Sequence, residues 1–177
     1  CGTARYYRAV EMNSSNVMAT IRDLNETEVD LDTYLSWLQD VYGNPFIESA
    51  RVDYSMPELN DFLASKLGRP DVRFWAIFTE LDEFIGTVKL DPIDFIQGNA
   101  WLGIMIGEVS QRGKGYGQQV LEQVAQYSLA TLQLKELLLG VQKNNIPALK
   151  LYRRQGFEIV ETNEFSVVMK KNLTLIT

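Results

Sequence analysis

The sequence predicts an α/β (α+β) fold: a mixed, mostly antiparallel twisted sheet with helices on both faces and a parallel pair at its centre. Three observations predict it. Trp101 to Ile106 is an apolar run broken only by Gly103, as in a buried strand, and a glycine-rich turn follows it. Val120, Leu121, Val124, Ala125, Tyr127 and Leu132 then keep helical spacing, and Lys135 to Val141 is a second apolar run. Strand–helix–strand in that order requires a parallel pair with a right-handed crossover. The second observation is a hairpin: Arg73 to Thr79 and Phe84 to Leu90 flank the polar turn Glu80-Leu81-Asp82-Glu83. The third is a closing antiparallel pair, Phe157 to Val160 and Phe165 to Met169.

The remaining elements follow from local chemistry. Residues 5–12 and 17–24 read as strands around the turn Asn13-Ser14-Ser15-Asn16. Asp30 or Asp32 caps a helix to about Asp40, with Leu31, Tyr34, Leu35 and Leu38 on one face. Tyr42-Gly43-Asn44-Pro45 breaks it, and residues 46–56 are irregular. Pro57 opens a helix to about Lys66 that buries Leu59, Phe62 and Leu63. Pro92 to Gly98 connects the hairpin to the central strand. The glycine turn leads into a helix to about Leu132, and Asn145 to Gln155 forms another, stopped by Gly156. No repeat or interdomain linker appears, so residues 1–177 read as one domain.

Composition narrows the function classes. No apolar run approaches the ~18 residues of a membrane span, and no signal-peptide pattern is present. A cytoplasmic location is therefore expected. The lone Cys1 excludes an intrachain disulfide framework and a cysteine zinc site; Cys1-Gly2 fits a processed lipoprotein end, but reads first as a trimmed or incomplete N-terminus. With no His in the chain, a histidine general base is excluded. No metal is suggested. A net charge of −6 argues against nucleic acid as the main partner. The charge is uneven: residues 1–100 carry 17 acids and 8 bases, residues 101–177 carry 6 and 9. A basic half suits an anionic cofactor, an acidic half a cationic amine. The plainer reading is that the acids from Asp23 to Asp32 solvate a helix start.

Gly113, Gly115 and Gly117 alternate with Arg112, Lys114 and Tyr116 ahead of Gln118. A strand feeding a helix start with a bare backbone makes an anion site, because first-turn N–H groups lack intrahelical partners. Two well-known phosphate loops fail here. The dinucleotide fingerprint needs Gly at 118 or 120, where Gln118 and Val120 stand. The P-loop needs Ser or Thr after its Lys, where Gly115 stands. What remains is Arg112-x-x-Gly115-x-Gly117, and further on Asn145-x-x-Ala148-x-x-Leu151-Tyr152-x-x-x-Gly156-Phe157. Asn145, Ala148 and Tyr152 are one and two helical turns apart and share a face.

The first pattern resembles the [Gln/Arg]-x-x-Gly-x-[Gly/Ala] turn of the GNAT acetyltransferase superfamily. The second resembles that superfamily's later Asn-x-x-Ala-x-x-Leu-Tyr-x-x-x-Gly-Phe segment. Two signatures in order, about 30 residues apart, each on the expected element, are far more specific than either alone. The resemblance covers residues 17–170 as the core, with 1–16 as an extra N-terminal strand. Residues 34–40 and 102–107 are similar to the branch that includes ribosomal-protein N-terminal acetyltransferases. Residues 86–93 look more like bacterial enzymes that acetylate nucleotide-linked amino sugars.

The resemblance implies direct transfer from acetyl coenzyme A to a primary amine in a ternary complex, driven mainly by proximity. It implies that the parallel pair splays and that the pantetheine arm lies in the gap, paired with the backbone of Met105, Ile106 and Gly107. The Met105 N–H would polarise the thioester carbonyl. The turn Arg112, Gly113, Lys114, Gly115, Tyr116, Gly117 and Gln118 would bind the pyrophosphate through its N–H groups. Asn145 would hydrogen-bond the pantetheine arm, beside Ala148, and Tyr152 would protonate the leaving thiolate. Without the resemblance, Tyr152 is a packing tyrosine and Asn145 an N-cap. The base stays open among Asp91, Glu80, Glu108 and a water chain, because Trp101 stands where the family has an acid on the central strand. The acceptor is expected near residues 34–56, with Asp40 and Glu48 beside it. Expected partners are acetyl coenzyme A and the amine, with a second copy of the chain allowed. Two alternatives remain: acetylation of a protein N-terminus, in a groove between residues 42–56 and 162–165, and a non-catalytic module that senses acetyl coenzyme A.

Overall fold

The computed structural model describes residues 17–174. The expected strand at 5–12 and the turn at 13–16 lie outside them. The elements, in order, are β1 (Thr20–Asp23), α1 (Leu31–Gln39), α2 (Met56–Lys66), β2 (Arg73–Phe78), β3 (Phe84–Asp94), β4 (Asn99–Ile106), α3 (Tyr116–Ala130), β5 (Glu136–Gln142), α4 (Ile146–Arg154), β6 (Glu158–Thr162) and β7 (Ser166–Asn172). The strands form one sheet in the order β1-β2-β3-β4-β5-β7-β6, antiparallel except for β4 with β5. This is the expected mixed sheet with its central parallel pair.

Helices cover both faces. Val120, Leu121 and Val124 of α3 and Leu149 and Tyr152 of α4 pack with Val88, Leu90, Leu102, Leu137 and Leu139 of the sheet. On the other face Tyr34, Trp37 and Leu38 of α1 and Leu59 and Leu63 of α2 pack with Phe74, Ala76 and Phe78. Local signals set the helix starts. The Asp30 carboxylate accepts from the N–H groups of Asp32 and Thr33. Ser55 and Glu58 form a reciprocal capping box ahead of Pro57. Phe62 is only half-buried, against expectation, because it borders a cavity.

Two further expectations change. β3 does not stop at Leu90. It continues through Pro92 to Asp94 and pairs with Asn99 and Ala100, so only residues 95–98 turn. A register shift between Leu90 and Ile93 accommodates a proline that has no N–H to donate. Nor is β4 buried on both faces. Trp101 is 39% exposed and Gly103 to Ile106 are half-buried. The cause is in the ladder. β4 pairs with β5 only from Asn99 to Trp101, opposite Glu136 to Leu138, and the two strands then part.

Candidate functional site

The parting opens a cleft of about 1100 Å³. Its walls are β4 from Trp101 to Ile106 on one side and Gly140 to Gln142 of β5 on the other. The glycine turn and α4 close the ends.

Register decides which backbone groups face the cleft. Gly86 opposes Ile106 and Thr87 opposes Met105, and the Gly107 N–H donates to the Ile85 carbonyl at 2.9 Å. In an antiparallel pair, hydrogen-bonded and non-bonded positions alternate. Gly107 and Met105 therefore spend their amides on β3, and Ile104 and Ile106 turn theirs the other way, toward the gap left by β5. The Ile106 carbonyl accepts from Arg112 Nε at 2.8 Å, on that same side. The expected Met105 N–H is thus corrected: its partner is Thr87, and the free amides belong to Ile104 and Ile106. Gly107 leaves the cleft altogether. A Cβ there would stand 2.2 Å from the Trp37 ring, so its role is to let α1 lie against the end of β4.

The glycine turn builds the start of α3. Gly115 is the N-cap residue at φ 99°, and no side chain caps the helix. Gly113 also has positive φ, 71°. The first-turn amides are thus left open at the end of the cleft, which Gln111, Gly113, Gly115, Gly117 and Gln118 line. Arg112 and Tyr116 line the cleft as well, but the polar ends of their side chains are engaged by other parts of the chain. Tyr116 is buried and donates from its hydroxyl to Glu80 at 2.7 Å. Burial, with Glu80 beside it, pushes that phenol up to about 12. Lys114 donates to Gln111 at 2.9 Å and does not line the cleft. The Arg112 guanidinium donates to the Gly43 carbonyl and to Asn44 Oδ1, tying the turn to the loop after α1. Lys150 and Arg154 of α4 also line the cleft; they are exposed cations that no motif had singled out.

Asn145 caps α4, its Oδ1 accepting from the Ala148 N–H at 3.3 Å, so the plainer reading holds for that oxygen. Both residues line the cleft, as does Tyr152. Tyr152 packs edge-on against Phe157, ring centres 5.8 Å apart. Burial pushes its phenol up to about 12, so it stays protonated through neutral pH.

A second cavity, about 430 Å³, lies on the α1–α2 side of β4. Its wall includes Tyr34, Tyr54, Phe62 and Phe74, with Thr87 and Lys89 from β3. Phe46, Ile47 and Glu48, with Gly103, Ile104 and Met105, line both cavities. Of the acids expected near the acceptor, Glu48 is on this shared wall. Asp40 is not; its Oδ1 accepts from the Gly43 N–H at 2.8 Å. The three base candidates also lie off both walls. Asp91 is ion-paired to Lys66 at 2.6 Å, Glu80 holds Tyr116, and Glu108 accepts from Ser110 at the short turn after β4.

Among the described residues no group of three His, Cys, Asp or Glu side chains could hold a metal ion, and no helix is long and apolar enough to cross a membrane.

Comparison with known proteins points one way. The family described as Acetyltransferase (GNAT) domain matches residues 19–158. An uncharacterized N-acetyltransferase, p20, of Bacillus licheniformis is 29% identical over 114 residues, which is 64% of this chain and 62% of that protein. The spermine/spermidine N(1)-acetyltransferase of Bacillus subtilis (strain 168) is 30% identical over 101 residues, 56% of this chain and 60% of that protein. The matches thus span about three fifths of these curated relatives. Among solved structures, spermidine N-acetyltransferase from Vibrio cholerae in complex with CoA and spermine superposes with a TM-score of 0.73 at 22% identity. That match covers 88% of this chain and 95% of the other. With the family's match over most of its length, and with the splayed parallel pair and glycine turn that the signatures imply, this chain belongs to the GNAT acetyltransferase family.

Proposed function

We propose that this chain transfers the acetyl group of acetyl coenzyme A to a primary amine, both bound at once. The observation that carries the reading is the parting of β4 from β5. It leaves the Ile104 and Ile106 amides facing a cleft that ends at the uncapped start of α3. An extended arm with amide groups of its own satisfies such a strand edge. Open first-turn amides, with Arg154 and Lys150 at the rim, fit a pyrophosphate.

Acetyl coenzyme A supplies the acyl group as a thioester. The chain's residues do the rest. An Ile106 or Ile104 N–H donates to the acetyl oxygen as charge builds on it. Glu48, on the wall common to both cavities, attracts the ammonium form of the acceptor and takes the proton it must lose. The amine nitrogen then forms its bond to the acyl carbon as the carbon–sulfur bond breaks. The Tyr152 hydroxyl donates to the departing sulfur, and the second proton that the nitrogen sheds as the amide forms restores the phenol through solvent. The donor set suits the ligand at each end, and orientation provides most of the gain.

The acceptor amine sits in the smaller cavity, on the opposite side of β4 from α3 and α4. Its volume favours a small molecule over a folded protein's N-terminus. The test is a screen of small primary amines and of peptides for coenzyme A release, with product mass confirmed. Release with small amines supports the reading. Acetylation of peptides alone favours the N-terminal alternative, and binding of acetyl coenzyme A without turnover favours a sensor.

A further inference from the structure

Acetyl transfer alone does not require a cation in the acceptor cavity, yet Lys89 lines it. Its stem lies along Gly103, where an added Cβ would meet Lys89 Cε at 3.4 Å. Its Nζ stands 5.1 Å from the centre of the Phe62 ring. The nearest carboxylate oxygen is Asp91 Oδ2 at 3.8 Å, and Lys66 holds that same oxygen at 2.6 Å. Two ammoniums share one carboxylate, so the trio keeps a net positive charge. The Lys89 side chain is 31% exposed and that of Asp91 9%. A partly desolvated, half-compensated cation is an attractor for an anion.

The other charge on the cavity wall, Glu48, borders the acetyl-transfer cleft, and Lys89 does not. Aromatic and aliphatic side chains lie between. The wall is thus polarised: carboxylate toward the reacting end, ammonium away from it. Resting on the transferase reading above, we propose that the acceptor is an amine that also carries an anionic group, with an apolar spacer between. Lys89 binds the anion. Lys89 opposes Gly103, and the Ile104 and Ile106 amides that face the cleft follow one and three residues farther along β4, so the two ends are about two residues apart along the strand. That is roughly 7 Å, the span of about five methylenes. A polyamine would bring its second ammonium against Lys89 as a like charge. This sets the chain apart from relatives named for spermine and spermidine.

The test is steady-state kinetics with saturating acetyl coenzyme A. The acceptors are 6-aminohexanoate, 5-aminopentyl phosphate, 1,5-diaminopentane, spermidine and pentylamine. At least one anionic acceptor should exceed 1,5-diaminopentane and spermidine in kcat/KM by about tenfold or more, the scale of one charge-assisted hydrogen bond. Whichever of carboxylate or phosphate leads identifies the anion. In Lys89→Met the preference should collapse or reverse, chiefly through KM, and Lys89→Arg should keep it. Equal or better use of the diamine by the wild type overturns the proposal, and so does an unchanged ratio in a folded Lys89→Met protein. Should Lys89→Met not fold, the wild-type ranking and Lys89→Arg still decide. Wild-type protein that binds acetyl coenzyme A in calorimetry but acetylates none of the five, pentylamine included, overturns the transferase reading and this proposal with it. Turnover of pentylamine with no preference for anions leaves that reading standing and removes only this one.

Discussion

Arg112 and Asn44, 68 residues apart in the chain, are joined by a charge-assisted hydrogen bond from the guanidinium to Oδ1. The same guanidinium holds the carbonyls of Gly43 and Ile106. Arg112 therefore clamps the end of β4, the glycine turn and the loop that leads to Phe46, Ile47 and Glu48. Lysine cannot replace the fork, because one ammonium does not reach three diverging acceptors. Arg112→Lys should raise the acceptor KM by about tenfold, the loss of roughly one charged hydrogen bond. Cofactor affinity should fall less, since backbone amides carry the phosphate contacts. Calorimetry with acetyl coenzyme A, set beside acceptor kinetics, measures the split. A larger loss on the cofactor side would make Arg112 a phosphate ligand instead.

Tyr152 bears on chemistry. Its hydroxyl has no hydrogen-bond partner among the described residues, and its ring packs on Phe157. Tyr152→Phe should keep the fold and cofactor affinity while slowing the chemical step by roughly 10²–10⁴, the usual range for a positioned acid. Equal losses in kcat and kcat/KM would mark an interaction made in the transition state. The deficit should shrink with a donor whose leaving thiol is more acidic. Wild-type turnover in the folded variant, with chemistry rate-limiting, would return Tyr152 to a packing role.

Gly117 tests the phosphate end. A side chain there meets Leu151 Cδ2 at 3.2 Å and occupies the space above the first turn of α3. Gly117→Glu should abolish measurable binding of acetyl coenzyme A in calorimetry, by bulk and by like charge against phosphate. Undiminished affinity in a folded protein would move the phosphate site elsewhere.

Gly107 carries a stability prediction. Gly107→Ala forces a methyl group into the Trp37 ring, itself wedged against Phe84 with ring centres 4.8 Å apart. Overpacking of this kind costs about 1–3 kcal/mol. Urea unfolding should register it as a lower midpoint. No change would mean that α1 shifts freely.

Alkaline pH should unfold the protein. Burial pushes the phenols of Tyr34 and Tyr152 up to about 12, from 10 in the unfolded chain. The folded state thus holds these protons more tightly. Stability should be level below pH 10 and fall as pH climbs from 10 toward 12. Denaturant midpoints, followed with phenolate absorbance, check the window. A loss beginning well below pH 10 would have another origin.

Much of this was legible in the sequence because the signals are local. Asp30, Pro57, Gly115 and Gly156 each mark a boundary within a turn of the chain, and two short patterns fixed the family. What escaped depends on register or on distant partners. By sequence alone the backbones of Met105, Ile106 and Gly107 are set alike against the pantetheine arm; alternation along a strand makes neighbours differ, and the pairing of Thr87 with Met105 decides which faces the cleft. Arg112 read as a phosphate residue because its partners, Gly43 and Asn44, are nearly 70 positions away. Asp91 is a base candidate in the sequence, and its ion pair with Lys66, 25 positions away on α2, takes it out of that role. Pro92 looked like a strand end, and a bulge carried the strand past it.

The divergence of β4 from β5 also has a signature in time. Along residues 104–107, alternate amides are tied to β3 and the others are not. Dissolved in heavy water without ligand, the chain should exchange the hydrogens of Ile104 and Ile106 quickly and retain those of Met105 and Gly107. Four consecutive residues would then show a two-beat pattern, fast and slow in turn. An arm laid along the open edge would slow the fast pair and erase the beat, so the empty and occupied cleft can be told apart one amide at a time.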